Sequence, residues 1–189
     1  MNFFNTVISI VLLHTVFAYE VGDFVSVVDQ NREFDLCYGN DSSFKLANYN
    51  GDSNGGLYYV TIIDMSATWC GPCQSLIPLF DDLQSNYSNN EHVSLFVALS
   101  DLNEPYSCSQ WGNMGTPSIP NIIDDSGYPI FNMFNTESLF PSLVLIDHEM
   151  KIYYKEAGYS TTFVNSTSLI IDEMLFNMYN SLILAGIAD

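Results

Sequence analysis

Positive charge is what this sequence most lacks. Its 189 residues include only 4 lysines and arginines against 22 aspartates and glutamates, for a formal net charge of -18. Such a chain repels nucleic acids and anionic membranes, which argues against both as partners and favours cationic partners or simply a solvated acidic surface. Disorder is also excluded, because 48% of the residues are hydrophobic and 14% are aromatic. At this length we expect a single domain with a sizeable core.

Cysteine is scarce as well, and the spacing of the four cysteines limits their chemistry. Cys70 and Cys73 form a Cys-x-x-Cys pair, whereas Cys37 and Cys108 are isolated in the sequence. A zinc site normally requires a second ligand pair at similar spacing, so structural zinc is disfavoured. A structural crosslink rarely uses so tight a loop. We therefore favour a redox pair.

The Cys-x-x-Cys pair lies between a predicted strand and a predicted helix. Residues 57–64 are apolar on both faces, as expected of a central strand covered by helices. Apolar residues then recur at helical spacing from Cys73 to about Tyr87. The N–H groups and dipole at the start of such a helix would stabilise the thiolate of Cys70. Cys70 is therefore predicted to be the attacking sulfur and Cys73 the resolving one.

The segment Trp69-Cys70-Gly71-Pro72-Cys73 resembles the active-site motif of the thioredoxin superfamily. A match of the whole pentapeptide is far more specific than a bare Cys-x-x-Cys. The resemblance extends to Pro78, which lies where these proteins kink the active-site helix. It also extends to Phe140-Pro141-Ser142, which looks like their cis-proline segment and would seat an extended substrate peptide. The resemblance thus implies substrate-binding roles for several residues near the dithiol: Trp69, Gly71, Pro72, Phe140 and Pro141.

Asp64 ends the predicted strand, six residues before Cys70, where thioredoxins keep a buried acid. A carboxylate at the end of a doubly buried strand can have a raised pKa. It could then exchange a proton with Cys73 when a mixed disulfide resolves. From the residues alone, an exposed aspartate that caps the following turn is the simpler interpretation. The resemblance favours the catalytic role.

The resemblance covers roughly residues 21–184 and implies a thioredoxin-like α/β fold, with a mixed central sheet and helices on both faces. Residues 24–28 look like a strand and predict an N-terminal hairpin. Residues 101–140 exceed what a minimal thioredoxin needs and predict one inserted helix-strand unit. These two additions resemble the exported redoxins of the TlpA, ResA and alkyl-hydroperoxide-reductase-like group. Leu76 departs from that group, which commonly carries glutamate at this position.

The remaining elements follow from apolar periodicity and turn residues. They are a loop at 48–56, strands at 93–99, 120–124, 142–146 and 152–157, and helices at 107–114, 128–135 and 169–182.

The first twenty residues carry an apolar core from Val7 to Leu13, followed by the segment Val16-Phe17-Ala18. This arrangement predicts a secretory signal peptide over residues 1–18, with a thioredoxin-like domain at 19–189. The segment lacks Lys and Arg, so a buried N-terminal helix or an uncleaved anchor is the alternative, although the run is short for a membrane span. After cleavage we expect no stable membrane insertion. Export to a periplasm or a secretory lumen would place the thiols in an oxidising compartment.

In an exported protein, Cys37 and Cys108 suggest a second, structural disulfide, and two unpaired buried thiols are the alternative. His92 and His148 are isolated beside turn residues and are expected at the surface rather than as metal ligands.

Taken together, the sequence predicts a thiol-disulfide oxidoreductase that acts on exported proteins. A redox-active Cys70–Cys73 disulfide would be its only cofactor, with no metal, and protein thiols or disulfides its substrates. The Gly71-Pro72 dipeptide is shared with thioredoxins, which are reducing, so a reductase is expected. An unidentified electron donor or acceptor is implied. The alternative is a non-catalytic module of the same fold, whose dithiol binds copper.

Overall fold

A computed structural model describes residues 18–116, 120–158, 160 and 162–187. The predicted signal peptide therefore lies outside the described residues, except for Ala18. Seven strands are present in the described part: β1 (Phe34–Tyr38), β2 (Ser43–Phe44), β3 (Val60–Ala67), β4 (Val93–Ser100), β5 (Ile122–Asp124), β6 (Ser142–Ile146) and β7 (Ile152–Ala157). The α-helices in the same part are α1 (Val27–Gln30), α2 (Gly51–Asn54), α3 (Gly71–Asn86), α4 (Cys108–Gly112), α5 (Pro129–Phe134) and α6 (Phe163–Leu184).

The strands form one mixed sheet in the order β2-β1-β5-β4-β3-β6-β7. Strands β3, β4 and β5 are parallel, whereas β6, β7 and β1 run antiparallel to their neighbours. Helices cover both faces, so the predicted thioredoxin-like α/β fold with a mixed sheet is confirmed.

Strand β3 is the centre of this sheet, and all eight of its residues are buried. Because side chains alternate across a strand, β3 supplies both cores. Val60 and Ile62 pack in the cluster that includes α3 and α6, whereas Ile63 and Met65 pack in the cluster that includes α5. The double burial predicted from the apolar run is what the structure shows.

Helix α3 starts immediately after the turn that follows β3. Cys70 is its N-cap residue and Pro72 lies in its first turn, where proline's missing N–H leaves no hydrogen bond unmade. The helix continues through Pro78 to Asn86. Its buried face packs against the sheet and carries Cys73, Leu76, Phe80, Asp81 and Leu83.

The N-terminal hairpin is present, but the strand predicted at residues 24–28 is wrong. The hairpin is formed by β1 and β2, while Phe24 makes only an isolated bridge with Lys151. The reason is a helix cap: the Ser26 hydroxyl accepts a hydrogen bond from the Asp29 N–H and starts α1. This local hydrogen bond outweighs the strand preference of Val27 and Val28, whose side chains are exposed and so gain little from packing in a sheet.

Two further expectations need correction. The predicted loop at 48–56 overlaps a 3-10 helix, Leu46–Tyr49, and α2, which begins where the Asn50 side chain accepts from the Asp52 N–H. His148, expected at the surface, is buried, and its Nε2 lies 2.7 Å from the Ser181 hydroxyl of α6. The turn that carries His148 is covered by the end of this helix.

The insertion between β4 and β6 consists of α4, β5 and α5, which confirms the predicted helix-strand unit. Strand β5 extends the sheet and pairs with β1. No helix in the described part of the chain is long and apolar enough to cross a bilayer.

Candidate active site

Cys70 and Cys73 form a disulfide at the N-terminus of α3. Both are buried, with exposed fractions of 3% and 1%, while Gly71 and Pro72 between them are exposed. The Cys73 N–H donates a hydrogen bond to Cys70 Sγ at 3.1 Å. An N–H group and the positive end of a helix dipole directed at this sulfur stabilise a thiolate there once the bond is reduced.

Trp69 lies directly before the disulfide and has 56% of its surface exposed. Its indole N–H donates to Asp101 Oδ2 at 2.6 Å, and the Tyr128 hydroxyl donates to the other oxygen of the same carboxylate at 2.5 Å. The Thr68 hydroxyl contacts the carbonyl oxygens of Asp101 and Glu104. The loop after β4 thus fixes the tryptophan ring beside the dithiol.

Phe140 and Pro141 border the same end of the sheet, and the peptide bond between them is cis. The Phe140 ring meets the Trp69 ring edge-on at a centroid distance of 5.9 Å and stacks on Phe131 at 4.1 Å. The Pro141 carbonyl accepts from the Gly158 N–H at 2.8 Å. Together these contacts place an aromatic rim next to the exposed Gly71-Pro72 segment.

Asp64 lies beneath the disulfide with 4% of its surface exposed. Its Oδ2 accepts from the Ser66 hydroxyl at 2.6 Å, while Oδ1 has no hydrogen-bond partner among the described residues. Burial raises the pKa of Asp64 to about 7, and the hydrogen bond from Ser66 opposes this only in part. Asp64 and Cys73 line a common cavity of about 20 Å³, which is room for one water molecule.

The two isolated cysteines are also joined: Cys37 of β1 forms a disulfide with Cys108 of α4. Gly112 then packs so closely on the Tyr38 ring that a Cβ atom there would collide with it. This disulfide anchors the helix whose Trp111 lines the cavity beneath the dithiol.

The two histidines in the described part of the chain, His92 and His148, lie apart from this site. His148 contacts Ser181, and His92 Nδ1 lies 2.8 Å from the Tyr58 carbonyl oxygen. In the part of the chain that the structure describes, no group of three or more His, Cys, Asp or Glu side chains is placed to hold a metal ion.

Three residues of this region were not predicted from the sequence: Asp101, Trp111 and Asp81. Asp101 and Trp111 come from loops and short helices whose placement depends on the whole fold. Asp81 carried a usable signal, because it follows Cys73 by eight residues and so shares the buried face of the predicted helix.

A mixed sheet with a Cys-x-x-Cys disulfide at the start of the helix after its central strand defines a thioredoxin-like protein. Residues 57–143, a little under half of the chain, match the family model described as Thioredoxin, so this stretch is similar to a thioredoxin domain. The resemblance anticipated from the pentapeptide is confirmed.

Close sequence identity to thioredoxins is confined to a short stretch. Over 30 residues the chain is 50% identical to thioredoxin from Homo sapiens, a match that covers 16% of this chain and 29% of that protein. The chain thus spans less than a third of the length of the mammalian thioredoxins it matches.

Solved structures match over most of the chain. A secreted Mycobacterium tuberculosis disulfide oxidoreductase homologous to Escherichia coli DsbE is 11% identical with a TM-score of 0.57, covering 78% of this chain and 99% of that one. A DsbF homologue from Corynebacterium diphtheriae is 12% identical with a TM-score of 0.57, covering 83% of this chain and 98% of that one. At this level of identity, the matches establish a shared fold.

Proposed function

We propose that this protein is a thiol-disulfide oxidoreductase that reduces disulfides in exported proteins through the Cys70–Cys73 couple. The observation that carries the proposal is the position of the dithiol. Cys70 caps α3 and accepts a hydrogen bond from the Cys73 N–H, while a buried acid lies below Cys73.

The reaction begins with the reduced protein. The Cys70 thiolate attacks a substrate disulfide, forms a mixed disulfide and releases one substrate thiolate. Cys73 then loses its proton to Asp64 and attacks Cys70 Sγ. The Cys70–Cys73 bond forms, the mixed disulfide breaks, and the second substrate sulfur leaves with the electron pair. The substrate gains two electrons, and an external dithiol donor must reduce the protein again.

The burial and charge of Asp64 support its role as the proton acceptor. With a pKa of about 7, the carboxyl group is partly ionised near neutral pH, so it can both take a proton from Cys73 and return it. Its Oδ1, which has no hydrogen-bond partner in the described part of the chain, is available for this exchange.

The aromatic rim supports a peptide-binding role for the surface beside the disulfide. Trp69 and Phe140 flank the exposed Gly71-Pro72 segment, and Pro141 fixes the direction of the backbone that enters β6. In this arrangement an extended substrate lies across Pro141 with its disulfide directed at Cys70.

Charge supports cationic substrates. Residues 46–150, which include the whole site, contain no lysine or arginine. The four lysines and arginines of the chain lie outside that stretch and contact other regions. Arg32 lies over the Phe34 ring and Lys151 over the Phe24 ring, while Lys45 and Lys155 form ion pairs with glutamates. The loop that carries Asp101 and Glu104, beside Trp69, therefore has no lysine or arginine near it in the sequence.

Insulin reduction in the presence of dithiothreitol tests the activity, and a redox titration of the Cys70–Cys73 pair tests its direction. We expect turnover by the wild type and none by Cys70→Ser, with a potential in the range of reducing thioredoxins. A potential near that of strong oxidants would contradict the reductase assignment. No turnover, together with tight copper binding that Cys70→Ser abolishes, would contradict the enzyme itself.

A further inference from the structure

Two carboxyl groups, not one, line the cavity beneath the disulfide. Asp64 lines it from β3, and both Cys73 and Asp81 line it from α3. The proposed reaction places a proton on Asp64 in each turnover, and that proton must leave before the next one. Asp64 can return the proton to Cys73, but a group that connects this buried acid to solvent would let it release the proton without waiting for the disulfide to be reduced again.

Asp81 lies where such a connection is possible. The side chain is buried, with 4% of its surface exposed, yet its Oδ2 accepts a hydrogen bond from the backbone N–H of Thr116, an exposed residue. Gly115 packs directly against the carboxylate, and any Cβ atom at this position would overlap it. The carboxylate is thus held at the boundary between the cavity and the surface.

Within the described part of the chain, no other carboxyl group lines the cavity and could carry a proton from it to solvent. The other side chains that line the cavity are apolar: Leu76, Ile77, Phe80, Val97, Trp111 and Pro120. The cavity has a volume of about 20 Å³, sufficient for one water molecule that could bridge the two acids.

The charged surroundings of Asp81 also suit proton transfer. Asp82 is the neighbouring charge on the same helix, and burial is the main reason that the pKa of Asp81 is raised. The pKa of Asp64 is raised to about 7 by the same cause. Among the described residues that line the cavity there is no lysine or arginine beside either carboxyl group.

We propose that Asp81 is the outlet of a proton relay that connects Asp64, through one cavity water, with bulk solvent. The proposal rests on the proposed function. When Cys73 attacks Cys70 Sγ, its proton moves to Asp64, then through the water to Asp81, and from Asp81 to solvent. When the donor reduces the disulfide again, a proton returns to Cys73 by the same path.

Asp81→Asn tests the relay, because an asparagine oxygen still accepts from the Thr116 N–H but the side chain cannot carry a proton. Asp82→Asn is the matched control, with the same change of charge at the next position, on the exposed side of the helix. The rate of mixed-disulfide resolution is followed by tryptophan fluorescence from pH 5 to 9, since Trp111 lines the cavity.

We expect Asp81→Asn to slow resolution on the order of tenfold and to change its pH profile, with the redox potential unchanged. Asp82→Asn should stay within about twofold of wild type. The relay is overturned if Asp81→Asn matches the control in rate and pH profile, or if a slow variant keeps the pH profile of the wild type, which would indicate a structural role.

A second measurement needs no variant. In the wild type, resolution limited by a relay through water should be slowed about twofold or more in D2O, and an unchanged rate would contradict the relay. If the wild type exchanges no disulfides at all, the proposed function fails and the relay with it. If it does exchange them but Asp81→Asn behaves as the control, only the relay fails.

Discussion

Asp64 and Cys73 line one buried cavity, although they belong to different elements, the central strand β3 and the helix α3 that follows it. The Asp64 carboxyl group therefore lies beneath the resolving cysteine. The described residues that line this cavity include no lysine or arginine. This arrangement has consequences for stability as well as for catalysis, because burying a charge without a partner is costly.

The first prediction concerns pH-dependent stability. The pKa of Asp64 rises from an ordinary 3.8 to about 7 on folding. Below pH 4 the group is protonated in both states. Between pH 4 and 7 the unfolded chain loses the proton while the folded protein keeps it, so the free energy of unfolding falls as pH rises. Above pH 7 the loss is complete and is on the order of 4 kcal/mol.

Asp64→Asn removes this ionisation, so the variant should be more stable than the wild type at pH 8 by on the order of 2 to 4 kcal/mol, and equally stable at pH 4. Urea denaturation of both oxidised proteins measures the difference. Asp35→Asn, at an exposed position of β1, is the control and should change little. Equal stabilities of Asp64→Asn and wild type at pH 8 would show that Asp64 does not carry the raised pKa.

The second prediction concerns the disulfide between Cys37 and Cys108, which are separated by 71 positions in the sequence. By constraining the unfolded chain, a closed loop of this length stabilises the fold by about 4 kcal/mol in the chain-entropy account. We expect the double variant Cys37→Ser, Cys108→Ser to lose stability of this order in urea denaturation. It should retain disulfide exchange at low temperature, because Cys70 and Cys73 are untouched. A loss below about 1 kcal/mol would contradict the structural role.

The third prediction concerns substrate charge. Two peptides that share one disulfide but carry flanking lysines or flanking glutamates should differ in rate, with the cationic peptide faster on the order of tenfold at 20 mM salt. The difference should shrink strongly at 0.5 M salt, where screening acts within a few ångströms. Stopped-flow measurement of mixed-disulfide formation provides the rates.

Two variants distinguish the effect of charge near the site from the effect of net charge. Glu104→Gln and Glu149→Gln each remove one negative charge, but only Glu104 belongs to the loop that holds Trp69. We expect Glu104→Gln to reduce the preference more. If the two peptides react equally fast at low salt, charge does not select the substrate.

Much of the site could be predicted because its parts are adjacent in the sequence. The apolar run of β3, the pentapeptide and the helical periodicity of α3 lie within about thirty consecutive residues, and each is a local signal. Asp64 could be placed beneath the cysteines for the same reason, since its strand leads directly into the motif.

What could not be predicted depends on contacts between distant segments. Nothing in the local sequence shows that Cys37 meets Cys108, or that the Asp101 carboxylate accepts from the Trp69 indole. His148 was expected at the surface because it adjoins turn residues, but α6 packs over that turn. Around Ser26 two local preferences conflict: the valines that follow favour a strand, whereas Ser26 favours the start of a helix. The helix cap outweighs the valines.

The most direct test of the proposed function is a trapping experiment with Cys73→Ser, in which the attacking cysteine remains and the resolving one is lost. After incubation with a disulfide-linked peptide, mass spectrometry should find the peptide attached to Cys70 as a stable mixed disulfide, and Cys70→Ser should capture none. Equal capture by Cys70→Ser, or the absence of any adduct on Cys73→Ser, would contradict the assignment of Cys70 as the attacking thiol and with it the proposed oxidoreductase.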